Sequence, residues 1–245
     1  MNKSQNKTFE VLEYVLDHGD RTVTPSELAA ATKLNAPTCV RILEGLMAYG
    51  YVQKKSRREG YLPGPAVFSF TGTNGFYAEL LRAADATLRK TAEKLHYRVI
   101  LTTAAAGRKF LIGQYDPNRA APLGHAYDDF YSTTSGRLLL AYFSESELAA
   151  YLHRHGPPGS VWPEADSEKR LQTQLAKIRT AAHYRFTDPE GNICFAAPLL
   201  IPDHPCACIS SYVRKESEAD AAIAILVTAA TAIRKFFAGP APSAL

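Results

Sequence analysis

Long apolar runs are missing from this chain of 245 residues. No stretch approaches the roughly 18 to 20 consecutive apolar residues that cross a bilayer. The opening residues, MNKSQNKTFE, lack the apolar core of a secretion signal, so no membrane partner is expected and a cytoplasmic location is. Cysteine is scarce: the four residues at 39, 194, 206 and 208 give no disulfide-rich framework, which suits a reducing compartment. The HPCAC segment at residues 204–208 offers metal-binding residue types without further ligands nearby, so no metal and no cofactor are expected. A nucleophile elbow, a phosphate loop and internal repeats are also missing. An enzyme reading is left with Cys194, His183 and His204 as scattered candidates, and no catalytic residue is assigned. Excess charge is absent too: the net charge is +4, so any affinity for nucleic acid must come from a local patch.

What is present is ordinary globular composition, 46% hydrophobic and 21% charged, in a chain long enough for one large or two moderate domains. The most structured signal lies between Thr24 and Tyr61. Thr24 can cap a helix, Pro25 suits its first turn, and Glu27 stands where a carboxylate reaches back to the Thr24 amide. A turn at Lys33, Leu34 and Asn35 follows, with Asn35 as the next cap and Pro37 in the first turn of a second helix. Cys39, Ile42, Leu43 and Leu46 recur at helical spacing as a buried stripe, leaving Pro37, Thr38, Val40 and Arg41 on the other face. In a helix-turn-helix the start of the second helix enters the major groove, where these residue types reach bases and phosphates. Two short apolar pieces, Tyr51-Val52 and Tyr61-Leu62, then flank a hairpin carrying Lys54, Lys55, Arg57 and Arg58, a cluster of cations suited to phosphates.

The run from Phe9 to Phe68, with its VLEYVL opening, PSELAAATKLNAPTCVRILEGLMAYGYV centre and YLPGPAV exit, resembles the DNA-binding domain of the IclR family of bacterial transcriptional regulators. That resemblance implies an α+β chain: an N-terminal winged helix-turn-helix over 1–70, a linker helix region over 71–95, and a C-terminal GAF-like α/β effector-binding and oligomerisation domain over 96–245.

Before the helix-turn-helix, Phe9, Leu12, Val15 and Leu16 mark an amphipathic helix ending at His18-Gly19, and Val23 suits a short strand beside the hairpin. The Pro- and Gly-rich stretch after Leu62 marks a boundary near residues 69–75. Leu81, Ala84, Leu88, Ala92 and Leu95 form the apolar stripe of the following helix. Two strands turn about Ala106-Gly107-Arg108, and Ser144 to Glu147 is a second capping box. A helix over Lys169 to Ala182, three strands between Tyr184 and Val213, and a last helix from Glu218 to Phe237 complete the order. In that last helix Ala222, Ile225, Leu226, Ala229 and Ile233 form the apolar face.

The same resemblance places a small-molecule effector site at Thr134, Ser135 and Gly136, at Cys194, and at Ser210 and Tyr212, whose alternation puts both on one strand face. The segment Thr187 to Cys194 is shorter than the family pattern, and Asp188 or Thr187 is the candidate to replace the family's usual acidic contact. The expected partners are double-stranded operator DNA, a small organic effector (a carboxylate or aromatic acid) and further copies of the chain in a homodimer or homotetramer. Two other functions stand beside this one: a constitutive DNA-binding regulator whose second domain only oligomerises, and a small-molecule enzyme with a docking domain.

Overall fold

The computed structural model describes residues 3–19, 21–56, 60–70, 75–118, 126–127 and 129–238. Arg57 and Arg58 therefore lie outside the described residues. The chain divides into two compact units, Met1–Ala78 and Glu79–Leu245. Among the described residues no helix is long and apolar enough to cross a membrane.

In the first unit, α1 (Lys3–Asp17) lies behind a helix pair, α2 (Pro25–Thr32) and α3 (Ala36–Ala48). Thr24 Oγ1 accepts the Glu27 amide and Asn35 Oδ1 accepts the Thr38 amide, so both expected caps form. Between them Lys33 takes φ 56°, which turns the chain in the space of three residues. Val11, Val15, Val23, Leu28, Cys39, Leu43 and Leu46 close the core. Two expected core positions differ. Phe9 is exposed and Val11 is buried in its place, while Ile42 only borders the core. The reason is phase: a set of apolar residues on α1 admits two neighbouring stripes, and contact with α3 selects the one containing Val11 and Val15.

The hairpin consists of β1 (Val52–Ser56) and β2 (Gly60–Pro63), and Val23 adds one bridge to Tyr61 with both N–H···O bonds at 2.9 Å. Two glycines permit this closeness. Gly60 has φ +96° and its missing Cβ would sit 2.6 Å from the Val23 carbonyl oxygen; at Gly64 it would sit 2.1 Å from the Gly50 oxygen. The Pro- and Gly-rich stretch read as a domain boundary begins with a short helix, α4 (Pro65–Phe70), which the sequence reading did not include; Pro65 suits a first helical turn and the Ala66 amide reaches the Gly50 carbonyl.

The second unit begins within α5 (Phe76–Leu95). The sequence set residues 71–95 apart as a linker; from Glu79 onward α5 belongs to the second unit. Its buried row is Leu80, Ala84, Leu88, Thr91, Ala92 and Leu95, with Leu80 rather than Leu81 as the first fully buried residue. A six-stranded antiparallel sheet runs in the order β5-β4-β3-β8-β7-β6. Its strands are β3 (Val99–Ala105), β4 (Arg108–Tyr115), β5 (Ala126–Tyr127), β6 (Tyr184–Thr187), β7 (Ile193–Leu199) and β8 (Ala207–Val213). Ala106 and Gly107, both at positive φ, make the tight β3–β4 turn. One face receives α9 (Glu216–Phe237), whose buried side uses Ile223 where Ile225 was expected. The other face receives α6 (Thr134–Leu140), behind which lie α7 (Glu145–His155) and α8 (Glu168–Thr180). The Ser144–Glu147 capping box forms as expected.

The Glu27 carboxylate is not reserved for the Thr24 amide: Arg21 holds it most strongly, with help from Tyr14 and the Thr24 backbone, and together they lower its pKa to about 2 from the usual 4.5. A depressed carboxylate pKa stabilises the fold above about pH 4.5, and that contribution is lost as the pH falls toward 2. Arg21 is exposed and Glu27 partly so, and solvent screening keeps the effect small. Glu27→Gln should flatten the acid limb of the pH–stability curve; a limb identical to that of the parent chain would contradict this. Gly64→Ala should lower the urea midpoint of the first unit, by about 2 kcal/mol or more in stability. An unchanged midpoint would show that the approach to Gly50 is not tight.

Candidate functional site

On α3 the burial of Cys39, Leu43 and Leu46 fixes which residues face away from the core. Pro37 and Arg41 are exposed, and Thr38 and Val40 are half-buried at the same end. Lys54 and Lys55 project from β1, where the ladder shifts register between Lys54 and Ser56, and the Lys54 ammonium lies 5.4 Å above the Tyr61 ring. A helix start with its side chains outward and a cationic strand beside it form the candidate nucleic-acid surface.

A cavity of about 480 Å³ opens in the second unit, between the inner sheet face and the turn that precedes α6. Ile100 and Thr102 of β3, Lys109, Leu111 and Gln114 of β4, and Ser210 and Tyr212 of β8 line it. The register explains why Gln114 joins Leu111 and Lys109 despite the odd spacing. A bulge opposite Leu101 and Thr102 shifts the β3–β4 ladder by one residue, which moves Gln114 to the inner face. Cys194 lies beside Tyr212 in the β7–β8 ladder, and Ser210 pairs with Ala196. Of the residues expected at an effector site, Thr134, Ser135, Asp188, Cys194, Ser210 and Tyr212 all line this cavity, and Gly136 does not. Gly136 serves close approach instead, because a Cβ there would lie 2.6 Å from the Phe130 carbonyl oxygen.

Several lining residues were not anticipated. Lys109 is buried, and its ammonium donates to Thr133 Oγ1 at 2.6 Å. The same Thr133 oxygen accepts the Gly136 amide at 3.1 Å and so caps α6. Alternation along β4 could have revealed Lys109, since it lies two residues before the inward Leu111. No comparable signal separates Thr133 from its neighbours in the hydroxyl-rich Ser132–Ser135 run. Burial pulls the Lys109 ammonium below its ordinary pKa, and the Asp129 charge opposes that shift.

The two cavity carboxylates are occupied by their own turns. Asp129 accepts the Tyr131 and Ser132 amides and the Ser132 hydroxyl. Asp188, proposed from sequence as an acidic contact, accepts the Glu190 and Asn192 amides and the Asn192 side chain. Burial would raise both pKa values, but these hydrogen bonds outweigh it and hold both below the ordinary range. Cys194 shows the opposite result: burial, then the Asp188 charge, pushes its thiol up to about 12. A thiol that stays protonated at neutral pH is a poor nucleophile. Neither His183 nor His204 lines the cavity, so the residues that an enzyme reading relied on are not assembled here. Among the described residues no cluster of His, Cys, Asp and Glu could hold a metal.

Arg137 fastens the helical layer. It is buried, its guanidinium lies 4.1 Å from the Phe186 ring centre and 4.6 Å from that of Trp162, and it donates to the Tyr131 carbonyl, the Tyr184 hydroxyl and the Val161 carbonyl. Phe186 also forms part of the cavity wall, so this stack connects the wall to the layer behind it.

The architecture defines a winged helix-turn-helix protein with a separate, cavity-bearing α+β unit. Residues 6–56 match the IclR helix-turn-helix domain. Over nearly the whole chain the fold is similar to that of solved structures. An IclR transcriptional regulator from Alicyclobacillus acidocaldarius is 20% identical, with 96% of this chain and 99% of that one covered and a TM-score of 0.74. An IclR homologue from Microbacterium hydrocarbonoxydans, complexed with 4-hydroxybenzoate, is 14% identical with 97% and 100% covered and a TM-score of 0.76. The Thermotoga maritima IclR is 22% identical with 95% and 98% covered and a TM-score of 0.60. No curated protein matches the chain. Residues 6–56 are thus similar to the IclR helix-turn-helix domain, and over its length the chain has the fold of IclR transcriptional regulators.

Replacing Arg137 with Met should destabilise the second unit by about 3 kcal/mol, since it leaves the buried Tyr131 carbonyl and the part-buried Val161 carbonyl without this donor. Arg137→Lys should recover less than half of that, because an ammonium cannot reproduce the planar fork between two rings. Thermal unfolding of both variants checks this, and full recovery by Lys would refute the role of the fork.

Proposed function

We propose that this chain is a transcriptional regulator that binds operator DNA through the start of α3 and the basic hairpin, and that a small organic effector in the cavity modulates this binding. The observation that carries the reading is the pairing of two different surfaces in one chain. One unit presents Pro37, Thr38, Val40 and Arg41 beside Lys54 and Lys55; the other encloses a cavity walled by hydroxyls and aliphatic side chains. Arg41 would take guanine or phosphate, Thr38 a base edge or phosphate, and Val40 a thymine methyl. The lysines would hold the backbone in register.

A cavity of this size suits a small organic molecule, and its mixed walls suit a carboxylate or an aromatic acid. The 4-hydroxybenzoate in the Microbacterium homologue supports the same class of effector for this chain. Effector binding would shift the population between DNA-competent and DNA-incompetent states, with the chain acting as a cytoplasmic homodimer or homotetramer, as repressor or activator. A dimer would read two half-sites about one helical turn apart.

Fluorescence anisotropy on the DNA upstream of its own and neighbouring genes tests the DNA half of the proposal. Arg41→Ala should weaken specific binding by about tenfold or more, and Lys54→Ala with Lys55→Ala should reduce the slope of log affinity against log salt by about one per charge. Binding to none of the fragments, or binding unaffected by all three changes, would overturn the assignment of this surface. A thermal shift by an organic acid, lost in Ser210→Ala, would separate effector response from a second unit that only oligomerises.

A further inference from the structure

We propose that the Tyr212 ring is the stop that limits effector length in the cavity, and that a second cavity beyond it is the space a longer effector would occupy. This rests on the first cavity being the effector site. The second cavity, of about 760 Å³, opens at the end of the same sheet, where α5 runs into β3 and β8 runs into α9. Leu95, Val213, Ala222 and Ile225 give it an apolar wall. Among the described residues the two cavities share Arg98 and Tyr212, so they meet at this point.

Strand register accounts for the meeting point. Ile100 stands opposite Ser210, and beyond that pair the Ser211 hydroxyl donates to the Arg98 carbonyl at 2.8 Å. The same register carried two residues further sets Arg98 across from Tyr212, whose partner on its other side is Cys194 of β7. The Tyr212 ring itself reaches the second cavity: it lies edge to face on Tyr97, ring centres 5.1 Å apart, and Tyr97 lines the second cavity and not the first. His96, at φ 57°, makes the turn out of α5 that brings Tyr97 there. Of the two shared side chains, Arg98 is exposed and moves aside easily, whereas Tyr212 is half-buried and backed by a ring. Tyr212 is therefore the stop. Each methylene added to a ligand in the first cavity gains burial until the chain meets this ring, and the next one must push the ring off Tyr97. Without the ring the two cavities are continuous, and the apolar wall beyond receives the extra methylenes.

Calorimetric titration of the full chain with benzoate and a homologous series of para-alkylbenzoates, from methyl to hexyl, reads the limit. In the parent chain affinity should rise by about threefold per methylene and then fall by about tenfold or more at one chain length. Tyr212→Ala should move that break outward by about two methylenes or more, strengthening the long members while leaving the short ones within about threefold. Tyr212→Phe should keep the break, because the ring and not the hydroxyl is the stop. General damage to the fold would instead weaken every member alike. A break at the same length in Tyr212→Ala, a break lost in Tyr212→Phe, or no break in the parent chain would leave the cavity reading intact and overturn the stop. Binding of no member by either the parent chain or Tyr212→Ala at millimolar concentration would overturn both. Should Tyr212→Ala fail to fold, Tyr97→Ala decides: without its backing ring Tyr212 yields and the break should move outward by about one methylene, and an unmoved break overturns the stop.

Discussion

The hydrogen bond from the Lys109 ammonium to Thr133 Oγ1 is the contact around which the second unit is arranged. A lysine on the inner face of a sheet needs an oxygen, and the turn that starts the covering helix supplies one. Thr133 provides it and caps α6 with the same atom, so strand and helix are fixed to each other through one hydroxyl. Hydroxyls of Ser132, Thr133, Thr134 and Ser135 line this junction, and the cavity lies against it. Elsewhere along the same face, Ala196 and Cys208 join the aromatic and leucine cluster of α6, α7 and α8, and the layers close.

Arg137 continues the logic one turn further along α6. Its side chain is planar, so it can lie between the Phe186 and Trp162 rings while its edge donates to two carbonyls and a tyrosine hydroxyl. It thereby ties the loop containing Val161 to the cavity wall through carbonyl, hydroxyl and ring partners. The first unit depends on a different constraint, the close approach of backbone to backbone. The hairpin can reach Val23 and the turn after α3 only because Gly60 and Gly64 have no Cβ, and that approach sets where the lysines of β1 stand relative to α3.

The helix-turn-helix was legible from the chain alone because its signals are local. Thr24, Asn35, Pro25 and Pro37 act on amides within three residues of themselves, and such bonds do not depend on the rest of the fold. The apolar stripes were less secure. Phe9, Leu81 and Ile225 each stand one or two residues from the position that is buried, since a helix with many apolar residues offers more than one face and the neighbouring element chooses among them.

By itself, then, the sequence determined the caps, the outward face of α3, the order of most strands and helices, and the alternation that aligns Ser210 with Tyr212. The tertiary structure decided what alternation cannot carry across chain distance. A bulge between β3 and β4 turned Gln114 inward, the packing of α6 enclosed Lys109, and the Asp188 carboxylate was drawn into its own turn. Local bonding fixes an element, but only the register between strands and the layer laid over them fixes which side chains share a cavity.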